Sequence, residues 1–160
     1  LREANLQEAD LKGADLESAD LYRADLFKAI LEDVDLQDTN LDQPDLRKAI
    51  LIKADLRGAN LFRARMQGAD LSEADFYRAD LEKSDLSDAN LYKADLRESN
   101  LHGVNLQGAN LQGADLEGAN LFEADLTEAN LEGLSLERTN LESAKFLKTI
   151  MPDGHLHTRQ

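Results

Sequence analysis

Thirty-two carboxylates, eighteen Lys or Arg side chains and three histidines form the chemical inventory of this 160-residue chain, which has no cysteine and no tryptophan. Paired carboxylates can divide acid and base roles, and His beside Asp, Glu or Cys binds metals, so spacing decides what such a set can do. Fourteen of the acids are Asp at 10, 15, 20, 25, 35, 45, 55, 70, 75, 80, 85, 95, 115 and 125, all multiples of five. An array this regular is solvated and lacks the convergent, perturbed groups in a concave site that catalysis requires. His155 and His157 are two apart, aligned if on a strand, but have no acidic or Cys company at metal spacing and are read as tail histidines. No nucleophile–base set, clustered metal ligands or phosphate-cradling Gly loop before a helix is present. The expectation is a non-enzymatic protein with no catalytic residue, cofactor or metal.

The carboxylate spacing belongs to a larger regularity. From Leu1 to Phe146 every fifth residue is large and apolar, without insertion or deletion: thirty positions with twenty-seven Leu, Met66, Phe76 and Phe146. Ala is preferred two places before and Asp or Asn one place before, so the unit is A-(D/N)-L-x-x, as in Ala14-Asp15-Leu16-Glu17-Ser18. A period of five fits neither a helix nor simple strand alternation, and a fixed short repeat points to a solenoid. The small and the large apolar residue share one face of a short extended piece, and the Asp or Asn between them faces out. The last two residues suit a turn of about a right angle, and four turns close a square coil. Lys28-Ala29-Ile30-Leu31 recurs as Lys48-Ala49-Ile50-Leu51, twenty residues on, which supports a twenty-residue coil. At about 4.8 Å per coil, the rod is about seven coils and roughly 35 Å long.

Short Asx side chains accept hydrogen bonds from backbone amides two residues on, so this column serves the fold first. Eight of nine glycines sit at the second turn position, and residues 103–118 make a full coil of them, where type II turns with positive φ are expected to dominate. Departures from the motif are more informative. Ile30 and Ile50 replace Asp/Asn on adjacent coils of one face with Ile52 beside them, an outward aliphatic patch and candidate interface. Arg65 and Lys145 break the column on other faces, and Pro44 removes a ladder donor, predicting distortion at 42–45. Seven turn positions carry aromatics or His (Tyr22, Phe27, Phe62, Tyr77, Tyr92, His102, Phe122), spread over all four faces without a continuous nucleic-acid track. One column, Arg57, Tyr77 and Arg97, places two guanidiniums to flank one ring and is the candidate surface anion or stacking site.

These A-(D/N)-L-x-x units resemble the pentapeptide-repeat family over residues 1 to about 150, and the ending Thr149-Ile150-Met151-Pro152-Asp153-Gly154 resembles that of many cyanobacterial members. The resemblance implies an all-β, right-handed quadrilateral β-helix over residues 1–150, followed by a capping tail at 151–160. Phe146, Leu147, Ile150, Met151 and Leu156 are expected to cover the end of the Leu column. Most of the family has no assigned biochemical role, and some members inhibit or protect DNA gyrase by imitating duplex DNA. Those resemble dimers joined by a C-terminal helix or carry projecting loops, and this chain shows neither feature.

A net charge of −14 disfavours direct nucleic-acid binding, although most of it is inherited from the repeat. In the two free turn positions, ten acids face thirteen bases up to Arg97, and seven face two from Glu98 on, so the C-terminal third is acidic. The expectation is a structural or protein-interaction rod with an unknown protein partner, capable of homo-oligomerisation and without membrane insertion, and the DNA mimic is the alternative. The compartment is open: cytoplasmic, or periplasmic or thylakoid-lumenal if a signal precedes Leu1, where the chain starts in mid-repeat.

Overall fold

In the computed structural model, which describes residues 1–158, one repeat shows how the backbone is satisfied throughout. In Ala74-Asp75-Phe76-Tyr77-Arg78, the Ala74 N–H closes the preceding turn on the Leu71 carbonyl at 3.2 Å. The Asp75 N–H donates to Ala54 on the coil below (2.9 Å), while Phe76 and Arg78 donate to Asp95 and Arg97 on the coil above (2.7 and 3.1 Å). The Tyr77 N–H has no backbone acceptor and donates instead to Asp75 Oδ1 at 2.9 Å. All twenty-four Asp and Asn of the column make this same bond to the amide two residues on.

Parallel bridges join each column residue to the one twenty further on, from Asn5 and Asp25 to Asn130 and Ile150, failing only between Asp115 and Ser135. The coil is therefore four-sided with a twenty-residue period. Each straight side holds so few residues between turns that pairing amounts to one bridge per side. Only β1 (Thr149–Ile150) and β2 (Leu156–His157) qualify as strands among the described residues, and they pair antiparallel. No helix is long and apolar enough to cross a membrane.

The third residue of every turn has positive φ, in the sign pattern of a type II turn. Eight of these are glycines, but twenty-two are not, with φ between 52° and 61°. The sequence ties this conformation to glycine, whereas the ladder imposes it on Glu, Lys, Arg, Asp, Gln and Ser too, against an intrinsic cost of about 1–2 kcal/mol for an L-residue. Gly108 has a further reason, since a Cβ there would come within 2.5 Å of Asp88 Oδ1. Pro44 corrects another expectation: the ladder through it is intact, with Arg65 N–H donating to the Pro44 carbonyl at 3.0 Å. What Pro44 removes is the turn bond to Leu41, because that is the bond the Ala amide makes elsewhere.

The apolar columns fill the interior. From Leu21 to Leu131 every central Leu is buried, and Met66 and Phe76 take the same position without disturbing it. Thr39, Ser84, Ser99 and Thr149, standing where Ala is usual, are buried with their hydroxyls donating to Leu carbonyls. At the C-terminal end β2 folds back on β1, leaving Phe146, Leu147, Ile150 and Met151 half-buried. Leu156, expected among the covering residues, pairs with Ile150 but stays 57% exposed. Arg159 and Gln160, the last residues of the expected tail, lie outside the described residues.

Replacing Leu91 by Lys puts a charge into an interior with no partner for it, at a cost of several kcal/mol. Circular dichroism should show loss of the cooperative native transition, and native-like melting would contradict the packing described.

Candidate functional site

A satisfied repeat creates an electrostatic difficulty, because column carboxylates stack one coil apart and like charges about 5 Å apart repel by on the order of 1 kcal/mol even in water. The four faces relieve this differently. On the face through Asp20, Asn alternates in: Asn40 and Asn100 donate to Asp20 and Asp80 at 3.1 and 2.9 Å. On the face through Asp25, the departures Arg65 and Lys145 sit 3.2 Å from Asp45 and 3.3 Å from Asp125, which accounts for basic residues in an Asx column. On the face through Asp10, Ile30 and Ile50 interrupt the carboxylates, and Asn90 donates to Asp70 at 3.0 Å. The fourth face stacks Asp15, Asp35, Asp55, Asp75, Asp95 and Asp115 without interruption.

That last face holds the Arg57–Tyr77–Arg97 column. Arg57 clasps Asp55 at 2.5–3.0 Å and reaches toward Asp75 at 3.7 Å; Arg97 clasps Asp95 and lies 3.8 Å from Asp115. Each arginine thus bridges two coils of the Asp ladder. The Tyr77 ring has Arg78 at 4.9 Å and Arg97 at 5.7 Å. Arg57 is not its second neighbour, as expected from the column, because its guanidinium turns toward the carboxylates. With Glu98, Glu117, Gly118 and Arg138 these residues line an open depression of about 320 Å³. Its third arginine, Arg138, is also engaged, with Glu117 at 3.0 Å, and the lining Glu98 is held by Arg78 at 2.7 Å. The hydrogen bond from Arg97 holds Asp95 below the usual carboxylate range against the opposing effect of burial. At Asp55, burial acts to raise the pKa and is outweighed by the side-chain and backbone bonds of Arg57.

Ile30 and Ile50 lie bridged to each other, with Ile50 37% exposed and Ile52 half-buried at the adjoining turn. Neither isoleucine offers an acceptor, so the amides of Glu32 and Ile52 have no partner among the described residues; the same holds for Gln67 after Arg65 and Leu147 after Lys145. Ile150 forfeits nothing, because the residue two on is Pro152. The aromatics do reach all four corners but unevenly: Tyr22, Phe62, His102 and Phe122 share one, a clustering that the twenty-residue period contains and a face-by-face survey overlooks. Arg2 stacks on Tyr22 at 4.5 Å, Arg63 on Phe62 at 5.0 Å, and His102 on Phe122 at 5.4 Å, so these rings are covered by neighbours within the chain. The expectation of no clustered ligands needs one amendment, since Asp15, Glu17 and Asp35 bring carboxylate oxygens within 4.8 Å of one another at the surface. His155 lies 3.2 Å from Asp153, and His157 packs edge-on to Phe146.

The family model described as Pentapeptide repeats matches in eight copies, within residues 4–78 and 84–153. The chain belongs to the pentapeptide-repeat family. It is 36% identical to HetL, a pentapeptide repeat protein involved in heterocyst differentiation regulation from the cyanobacterium Nostoc, covering 98% of this chain and 78% of HetL (TM-score 0.40). A pentapeptide repeat protein from the Arabidopsis thaliana thylakoid lumen is 34% identical over 63% of this chain and 70% of its own (TM-score 0.62). QnrB1, a plasmid-mediated fluoroquinolone resistance protein, shares the fold at 15% identity over 89% and 88% of the two chains (TM-score 0.59). No curated protein sequence matches at a significant level.

In this pentapeptide-repeat protein Arg57 and Arg97 on the Asp15 face are already held by carboxylates of the stacked Asp column. Asp95 contributes stability that is present above its unfolded pKa and lost as pH falls through its depressed folded value. Arg97→Gln should therefore lower the melting temperature by a few degrees at neutral pH, with the deficit narrowing as the pH falls below the usual carboxylate range. Thermal melts across that range check this, and a deficit independent of pH would show that Arg97 acts by packing alone.

Proposed function

We propose that this chain is a non-enzymatic protein-interaction scaffold, a right-handed four-sided coil of about seven turns whose flat faces are its working parts. The observation that carries this is the combination of a solid apolar interior with charged groups paired or solvated on regular outer columns. Such a rod offers extended surface and no enclosed place for a reaction. Ile30, Ile50 and Ile52 are the proposed contact residues, and the Arg57–Tyr77–Arg97 column is a secondary one for a partner carrying both charges.

The six-carboxylate ladder from Asp15 to Asp115 favours a second reading, in which the rod imitates the charged edge of duplex DNA and inhibits or protects DNA gyrase. A supercoiling assay with purified gyrase separates the two. Under the scaffold reading, supercoiling is unaffected at protein concentrations of about 10 µM, well above a functional affinity. Dose-dependent inhibition that is lost when Asp55, Asp75 and Asp95 become Asn would establish the mimic instead.

A further inference from the structure

Among the described residues, the large apolar side chains exposed beyond a third are Leu1, Ile50, Tyr92 and Leu156. The last three lie along one side. Ile50 is in the Asp10 column, Tyr92 is at the turn leaving that same side two coils up from Ile52, and Leu156 pairs with Ile150, the column's last member. Ile30 and Ile50 also give up the hydrogen bond that every Asp and Asn of the column makes, leaving two amides without an acceptor among the described residues.

We propose that this face is a self-association surface, on which a second copy packs side by side with its rod parallel to the first. Charge selects both the occupant and the orientation. Beside Ile30 and Ile50 the edge before the column carries Lys28, Arg47 and Lys48, with Glu8 and Asp88 further along it; the edge after the column carries Glu32, Asp33 and Glu73 with Lys53, and Lys12 and Lys93 further along it. Most are paired within the chain: Lys28 with Glu8, Arg47 with Asp45, Lys53 with Glu73, and Glu32 with Lys12. Among the described residues Lys48 and Asp33 have no such partner, and they stand on opposite edges. A two-fold axis running along the rod lays the leading edge of one copy on the trailing edge of the other, so Lys48 meets Asp33 twice. An axis across the rod would instead oppose Lys48 to the basic edge of its copy.

Along the parallel axis each column residue meets its own counterpart. Ile30 and Ile50 then bury their exposed surface together, and Asn90, Asn110 and Asn130 meet as amides able to donate and accept. A whole face, about 35 Å long and about 20 Å across with its corner side chains, offers roughly 700 Å² per copy, close to the ~800 Å² typical of a stable interface. Asp10 and Asp70 close the apolar stretch at either end and face their counterparts, which holds the affinity to the order of 1–10 µM.

The test uses the full chain, in which an introduced cysteine has only its counterpart to pair with because the native sequence has none. Sedimentation equilibrium should give twice the 17.8 kDa chain mass at about 100 µM, well above that affinity. Ile30→Asp with Ile50→Asp should be monomeric there while keeping the parent's circular dichroism, since Asp restores the family motif. Asn110→Cys, three coils from Ile50, should cross-link under mild oxidation as readily as Ile50→Cys. A parent that stays monomeric, or a dimer that survives the double Asp variant, overturns the surface. Cross-linking at 50 without cross-linking at 110 overturns the parallel arrangement, and a dimer broken only by changes on another face assigns the Ile patch to a different protein.

Discussion

Of the five backbone amides in a repeat of the central coils, such as residues 74–78, four find carbonyls in the ladder or the turn, and the fifth, on the residue after the central Leu, finds none. That unmet donor is the constraint on which the rest depends. An acceptor must come from a short side chain two residues back, and Asp and Asn are the residues whose geometry supplies it. Ser135 supplies one too, with Oγ accepting from Glu137 at 3.3 Å, although the parallel ladder opens at Ser135. The Leu column supplies the burial that drives folding, but every repeat needs the Asx bond for its turn to be satisfied.

The same requirement makes the surface. Filling the column with Asp stacks carboxylates along each face, so acidity follows from backbone satisfaction before any partner is considered. The four faces relieve the stacking through Asn amides, basic column residues, isoleucines and straddling arginines, and thereby acquire four different characters from one motif. Arg65 and Lys145 become intelligible in this way: each gives up one turn bond and gains a carboxylate on the neighbouring coil. Ile30 and Ile50 gain no such partner within the chain, which singles out their face.

Much of the architecture was legible because it depends on spacing alone. Leu and Ala inward, Asp and Asn on the turns and a twenty-residue coil all follow from a period that never breaks. The conformation of the turns was less legible: glycine advertises positive φ, but Glu98 or Lys93 do not, and only the ladder shows that they adopt it. Pro44 was misjudged because its missing N–H serves the turn and not the ladder. For the Arg57–Tyr77–Arg97 column the sequence brought the right residues to one depression but misassigned a contact, since a guanidinium among carboxylates chooses by rotamer and charge, which spacing does not encode. The shared corner of Tyr22, Phe62, His102 and Phe122 follows from the twenty-residue period alone, because these positions differ by multiples of twenty.

Hydrogen exchange followed amide by amide in the intact chain tests the central constraint most directly. If the Asx bond is what satisfies the fifth amide, Glu32, Ile52, Gln67 and Leu147 should exchange about tenfold or more faster than Phe62, Tyr77 and Gln112, whose amides hold a side-chain acceptor. Equal protection at the two sets would contradict the account, because the ladder alone would then be enough to satisfy the repeat.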